Sequence, residues 1–232
     1  MCFGNPFSEE MSYKENYLIR ASIEKGREIL ILAPTEKFVN GRVVRTNESD
    51  SNITNNVRLI RMNYERVVNK ILTEKYRKSS RFMTIVLSFK PDVIFFNTIQ
   101  VYNILDCKEI KDKLPKTRIL ADVSSDYGNS AQNFISKEIL HRLIYKRWIQ
   151  RSLPFIDRVF YVAESSRLFL SEIYRVSDDK MEFSPLCAEI FSRENKIEKK
   201  NKFCARHSID DGTLILSHSG KMNNSKKTIE LL

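Results

Sequence analysis

Residues 118–130 read RILADVSSDYGNS, and this run decides the fold. Ile119, Leu120 and Ala121 are apolar in succession, the pattern of a strand covered on both faces. The chain then turns polar at once, through Asp122, Ser124, Ser125, Asp126, Tyr127, Gly128, Asn129 and Ser130, and helical spacing follows. The run is the mouth of a strand feeding a polar loop and a helix start. In open α/β sheets, ligands bind at such carboxyl-end loops. The same residue types also build an ordinary turn and helix cap, so both readings stand at this point.

Working outward, the alternation repeats. Upstream, 93–96 is a buried-type strand after Lys90-Pro91-Asp92, with Asn97 and Thr98 at its end, and 101–113 is helical up to Leu114-Pro115. Residues 66–89 carry helical spacing at Val67, Ile71, Leu72, Tyr76, Phe82 and Ile85, enough for two helices. Residues 57–62 alternate as a strand, and 35–56, polar and rich in Asn and Ser, read as a long loop. Residues 28–33 form another buried-type strand closed by Pro34. The helix before it, over 12–25, has Ser12 and Glu15 at capping-box spacing and Gly26 to end it. Cys2 and Phe3 read as the end of a strand and Gly4-Asn5-Pro6 as its loop; two residues are too few, so this strand is expected to begin upstream of Met1.

Downstream, 130–152 is a long helix with Ile135, Ile139, Leu140, Leu143 and Ile144 expected to face inward. A strand over 158–162, a helix over 165–174 and a short strand over 180–184 follow. Residues 192–211 read as a charged connector with a helical segment near 201–207. A last strand is expected over 213–217, then Gly220 and a helix beginning near Lys226. Alternating strands and helices predict an α/β, Rossmann-like fold: a mainly parallel sheet, helices on both faces, right-handed crossovers.

The composition is that of a globular chain: 232 residues, 42% hydrophobic and 29% charged. No apolar run approaches the roughly 18 residues of a membrane span. The opening lacks a basic stretch followed by an apolar core, so no signal peptide is expected there. Cys2, Cys107, Cys187 and Cys204 lack ligand spacing and fit reduced thiols in a cytoplasmic protein. The three histidines are unclustered, and no metal site is expected. A formal charge of +10 attracts phosphate, whether on nucleic acid, an anionic membrane or a nucleotide-sugar.

Five stretches in order resemble the N-terminal half of a family 4 glycosyltransferase of the GT-B fold. They are SYKENYLIRASIEKGREILILA (12–33), KPDVIFFNT (90–98), ADVSSDYGNS with the basic helix after it, IDRVFYVAESSRLFLSEIYRVSDDKMEFSPL (156–186) and LILSHSGKMNNSKKTIELL (214–232). The resemblance implies an acceptor-binding domain over 1–191, a connector over 192–211 and the start of a donor-binding domain over 212–232. Family members continue through that second domain, which holds an acidic E-x7-E pair. The chain therefore reads as a fragment, inactive alone.

The resemblance also assigns residues. Asp122-Val123-Ser124 stands where the family often carries D-x-H, and serine cannot hold a proton near neutral pH as imidazole does. Catalytic work would then fall to Asp122, Ser124 and Asp126, or the product has lost activity; for Asp126, capping near Asn129 is the structural alternative. Gly220, Lys221 and Lys226 match the family's glycine and basic pair that hold the donor pyrophosphate, Lys221 being a point charge where arginine is usual. Gly4 and Asn5 match the first-strand loop near the donor.

The implied activity is retaining transfer of a sugar from a nucleotide-diphosphate donor to a glycan or lipid-linked acceptor, with no metal or other cofactor. Lys146, Arg147, Trp148 and Arg151 offer peripheral contact with the inner face of a membrane; the structural alternative is a solvated basic helix end with Trp148 packed inward, since basic residues occur around much of the helix circumference. The alternative is a non-catalytic basic α/β module for nucleic acid or a protein partner, although no nucleic-acid motif is present.

Overall fold

In the computed structural model, the described residues are 6–10, 13–39, 42–131, 133–186, 192–210 and 212–215. Gly4, Asn5, Gly220, Lys221 and Lys226 lie outside them, as do Ser12 and the helix expected near Lys226. The chain divides into two units, Met1–Cys187 and Ala188–Leu232.

The first unit opens with α1 (Lys14–Glu24), β1 (Ile29–Pro34), β2 (Glu36–Val39), β3 (Arg42–Arg45), β4 (Ser49–Thr54) and β5 (Val57–Met62). Helices α2 (Lys70–Tyr76) and α3 (Arg81–Phe89) lead to β6 (Val93–Phe96). A 3-10 turn, Tyr102–Asp106, runs into α4 (Cys107–Lys113), and β7 (Arg118–Val123) follows. A wide π-type helix, Ile135–Tyr145, continues as α5 (Lys146–Ser152). Then come β8 (Arg158–Tyr161), α6 (Glu164–Phe169) with a π-type turn Leu170–Tyr174, and β9 (Met181–Phe183).

Strands β6, β7, β8 and β9 form a four-stranded sheet in that order, parallel throughout. β1 pairs in parallel with β5, and β4 pairs antiparallel on the far side of β5. Both sheets feed one core. Leu30, Leu32, Ile60 and Met62 pack in the same buried cluster as Ile94, Phe96, Ile119, Ala121 and Val159. Phe82 and Val86 of α3 join that cluster on one face of β1. On the other face, Ile19 and Ile23 of α1, four apart and so on one helix side, cover Ile31, Ala33 and Leu59. Gly26 takes φ +68°, the left-handed conformation that ends α1.

The structure corrects several expectations. The stretch 35–56 is not a loop: it holds the β2–β3 hairpin and β4. Phe38-Val39 and Val43-Val44 flank Asn40-Gly41, the strongest short hairpin signal a sequence carries, which polarity masked. On the 130–152 helix, Ile135, Ile139 and Leu143 point outward, and His141 and Tyr145 point inward. The π-type winding turns fewer degrees per residue than an α-helix, so an inward face counted at 3.6 residues per turn drifts out. At the start of α1, Tyr13 occupies the N-cap position without a side-chain cap bond. In the second unit, α7 (Arg193–Arg206) begins eight residues before the expected helical segment, with Ser192 Oγ accepting from the Asn195 N–H at 3.2 Å. Residues 213–215 are not in a strand.

Candidate functional site

The parallel strands of the first unit end in polar loops, which bring together side chains far apart in sequence. After β7, Asp126 and Asn129 lock the loop reciprocally. Asp126 N–H donates to Asn129 Oδ1 at 3.0 Å, and Asn129 N–H to Asp126 Oδ1 at 2.9 Å. Ser165, at the start of α6 after β8, donates to Asp126 Oδ2 at 3.2 Å, so the carboxylate also ties two neighbouring loops. These bonds are those of the capping role read for Asp126. Ser124 is exposed; its carbonyl accepts from Asn129 Nδ2 at 3.0 Å.

Asp122, the last-but-one residue of β7, points inward. Its Oδ1 accepts from Lys14 Nζ at 2.8 Å, with both side chains 6% exposed. Burial pushes its carboxyl above the usual carboxylate range, and the Lys14 ammonium opposes that shift without cancelling it. Lys14 also donates to the Ser184 carbonyl after β9 at 3.2 Å. The neighbouring Glu15 is raised by burial and further by the Asp122 charge.

A second polar chain runs inward from the same loop. Ser125 Oγ donates to Gln100 Oε1 (3.1 Å), Gln100 Nε2 donates to Tyr174 OH (2.9 Å), and Tyr174 OH lies 2.6 Å from His141 Nδ1. The direction of the Tyr174–His141 bond follows the imidazole tautomer, since the phenol can donate to a bare Nδ1 or accept from a protonated one. Burial lowers His141 to about 4, with Lys75 adding to the effect, so the ring is neutral near pH 7. His141 positions the loop through Tyr174 and Gln100. No cluster or motif marks His141 in the sequence; its only mark is a place on a helix whose winding hides its face.

At the ends of β1 and β5 lies a cavity of about 360 Å³, lined by Thr35, Asn63, Arg45, Arg66, Lys70 and Glu74 among others. Two of its lining residues, Pro34 and Glu36, are held by Arg61, a buried guanidinium. Arg61 donates to the carbonyls of Phe7 (3.1 Å), Glu36 (3.3 Å) and Pro34 (3.4 Å) and pairs with the Glu9 carboxylate at 3.0 Å. Thr35 Oγ1 donates to Asn63 Oδ1 at 2.8 Å across the two strand ends. Sequence reasoning missed these cations; the alternating basic run around β5, RLIRMNYER, was the available signal.

Trp148 is not available to a membrane: it is buried against Tyr76, Tyr102 and Tyr145, with ring centroids 4.9, 5.3 and 5.5 Å away. Arg147 and Arg151 are exposed and Lys146 half-buried. Among the described residues, no group of His, Cys, Asp and Glu could hold a metal ion, and no helix is long and apolar enough to cross a membrane. No family model matches the chain, and no curated protein matches it in sequence.

Proposed function

We propose that the chain is the acceptor-binding part of a retaining, nucleotide-sugar-dependent glycosyltransferase of family 4 with the GT-B fold. The ordered set of sequence motifs carries this reading, and a parallel sheet whose carboxyl edge gathers polar side chains is compatible with it. An acceptor hydroxyl would approach that edge, where exposed Ser124 can contact it while Lys14–Asp122 and the Asp126–Asn129 turn hold the loop. Lys221 and Lys226 would neutralise the diphosphate that leaves as the sugar moves to the acceptor. The protein would work in the cytoplasm at the inner face of a membrane, without a metal.

The test is thermal stabilisation by UDP, GDP and ADP. Saturable stabilisation by one of them, lost in Lys221→Ala/Lys226→Ala, supports the transferase. The charge of +10 favours a second reading, a basic module without chemistry. No response to any nucleotide, together with nucleic-acid binding that falls steeply with salt, replaces the first reading with the second.

A further inference from the structure

The cavity of about 360 Å³ at the carboxyl ends of β1 and β5 is lined mostly by ionic and hydrogen-bonding side chains. The two strands run in parallel and end level, Pro34 pairing with Met62, so Thr35 and Asn63 leave them side by side. The carboxyl edge of parallel strands is where open α/β sheets bind ligands. Three separate elements each bring a cation to it: Arg45 from β3, Arg66 from the loop after β5, and Lys70 from α2. They outnumber the two carboxylates of the lining, Glu36 and Glu74. Arg45 Nη2 and Lys70 Nζ both stand 3.9 Å from one oxygen, Glu74 Oε1, too far for a hydrogen bond. Arg66 forms no ion pair among the described residues. Its backbone is nevertheless held on both sides: Glu65 N–H donates to the Lys78 carbonyl at 2.8 Å and Val67 N–H to Thr73 Oγ1 at 3.1 Å. Asn63 is held as well. Its N–H donates to Glu48 Oε1 at 2.9 Å and its Oδ1 accepts from Thr35 Oγ1 at 2.8 Å, which leaves Nδ2 without a protein acceptor among the described residues.

We infer that this cavity binds a small polyol carrying a phosphate monoester, in the simplest case a sugar phosphate. A held backbone that carries cationic donors without hydrogen-bond acceptors is organised for an acceptor-rich anion. A monoester phosphate offers three terminal oxygens, and cations on three separate elements match these better than the two oxygens of a carboxylate. The rest of the lining selects the rest of the ligand. Hydroxyl groups donate to carboxylates such as Glu36 and Glu74 and accept from an amide such as Asn63 Nδ2, while Pro34 and Tyr64 supply the apolar part. The same two carboxylates repel an extended polyanion such as nucleic acid. The volume lies near the lower end of the roughly 300–1,000 Å³ of small-molecule sites, which favours one sugar-sized molecule over a whole nucleotide-sugar. This site does not rest on the transferase reading, whose nucleotide response depends on Lys221 and Lys226 instead.

The experiment titrates the 232-residue protein with glucose 6-phosphate, glucose 1-phosphate and glycerol 3-phosphate by isothermal calorimetry, beside glucose and inorganic phosphate. Saturable binding of at least one ester, about tenfold or more tighter than glucose and than inorganic phosphate, is expected. Arg66→Gln with Lys70→Gln should weaken it by about tenfold or more. The thermal midpoint should not move, since both side chains are exposed and the Lys70–Glu74 pair is a loose surface one. Lys146→Gln with Arg147→Gln removes the same charge outside the cavity and should leave binding unchanged. Displacement of the ester by phosphatidylcholine vesicles containing phosphatidylinositol 4-phosphate would assign the phosphorylated polyol to a lipid headgroup, and no displacement to a free metabolite; both outcomes support the site. No binding of any ester, binding no tighter than that of glucose or inorganic phosphate, or equal weakening in the two double variants overturns the inference.

Discussion

Lys14 Nζ sits 2.8 Å from Asp122 Oδ1, joining the first turn of α1 to the end of β7 across 108 residues of sequence, with both side chains buried. An ion pair taken out of water gains little net stability as a pair, but breaking it by removing one partner leaves an uncompensated buried charge. Lys14→Met is therefore expected to cost about 3–5 kcal/mol in urea unfolding at pH 7. Adding Asp122→Asn should restore most of that loss. Burial already raises the Asp122 carboxyl, and losing Lys14 raises it further, so the defect should shrink as pH falls and the carboxyl protonates. A Lys14→Met protein as stable as the parent at pH 7 would remove this pair from the framework of the site.

Arg61 presents a similar case with more partners. Its guanidinium serves three carbonyls and the Glu9 carboxylate, and it is almost wholly buried. Arg61→Met keeps the stem packing but strands acceptors, at about 1–3 kcal/mol for a buried unsatisfied group. Several stranded acceptors put the expected loss at the upper end of that range or beyond. Glu9→Gln retains an acceptor on a half-exposed side chain and should cost about 1 kcal/mol or less. Comparing denaturation midpoints of the two variants separates the carbonyl contacts from the ion pair.

His141 makes stability depend on pH in a defined direction. Its folded-state value of about 4 lies below the ordinary histidine value near 6.5, so the folded protein binds this proton more weakly than the unfolded chain. Stability from this group is full above pH 6.5 and falls as pH drops toward 4, by up to roughly 3 kcal/mol. Replacing it with Phe, which can keep the packing against Phe169 and Tyr145, should flatten that part of the profile. An unchanged slope between pH 6.5 and 4 in His141→Phe would assign the acid sensitivity elsewhere.

The parallel strands were readable because each is a short apolar run closed by a punctuating residue: β6 between Asp92 and Asn97, β7 ending at Asp122-Val123. A strand buried on both faces needs no partner information to announce itself. The β2–β3 hairpin and β4 escaped because they are exposed and their polar residues resemble a loop; only Asn40-Gly41 pointed to them. At the site, sequence located the loop but not what holds it. Lys14, Gln100, Tyr174 and His141 reach it from elements 108, 25, 49 and 16 residues away, and no local pattern encodes a contact between them. Asp126 is the intermediate case, since its capping alternative followed from the local spacing to Asn129 alone.

The face that the π-type winding turns outward gives the last prediction. Phe134, Ile135, Ile139 and Leu143 are 74%, 69%, 45% and 59% exposed, a stripe at spacings near four along one helix. Lys146, Arg147 and Arg151 continue the same helical rod. Apolar anchors beside cations are what an anionic lipid surface binds, each cation adding about 1 kcal/mol near the headgroups. The protein is expected to sediment with phosphatidylcholine vesicles containing about 30% phosphatidylserine, less at high salt, and weakly with neutral vesicles. Phe134→Ser with Leu143→Ser removes two anchors worth about 1.5 kcal/mol or more each, so bound protein should fall by roughly tenfold or more with no loss of thermal midpoint. Trp148, buried against three tyrosines, should contribute to folding and not to binding. Unchanged sedimentation of the Phe134→Ser/Leu143→Ser protein would show that cations alone draw it to lipid, or that this stripe faces something other than a membrane.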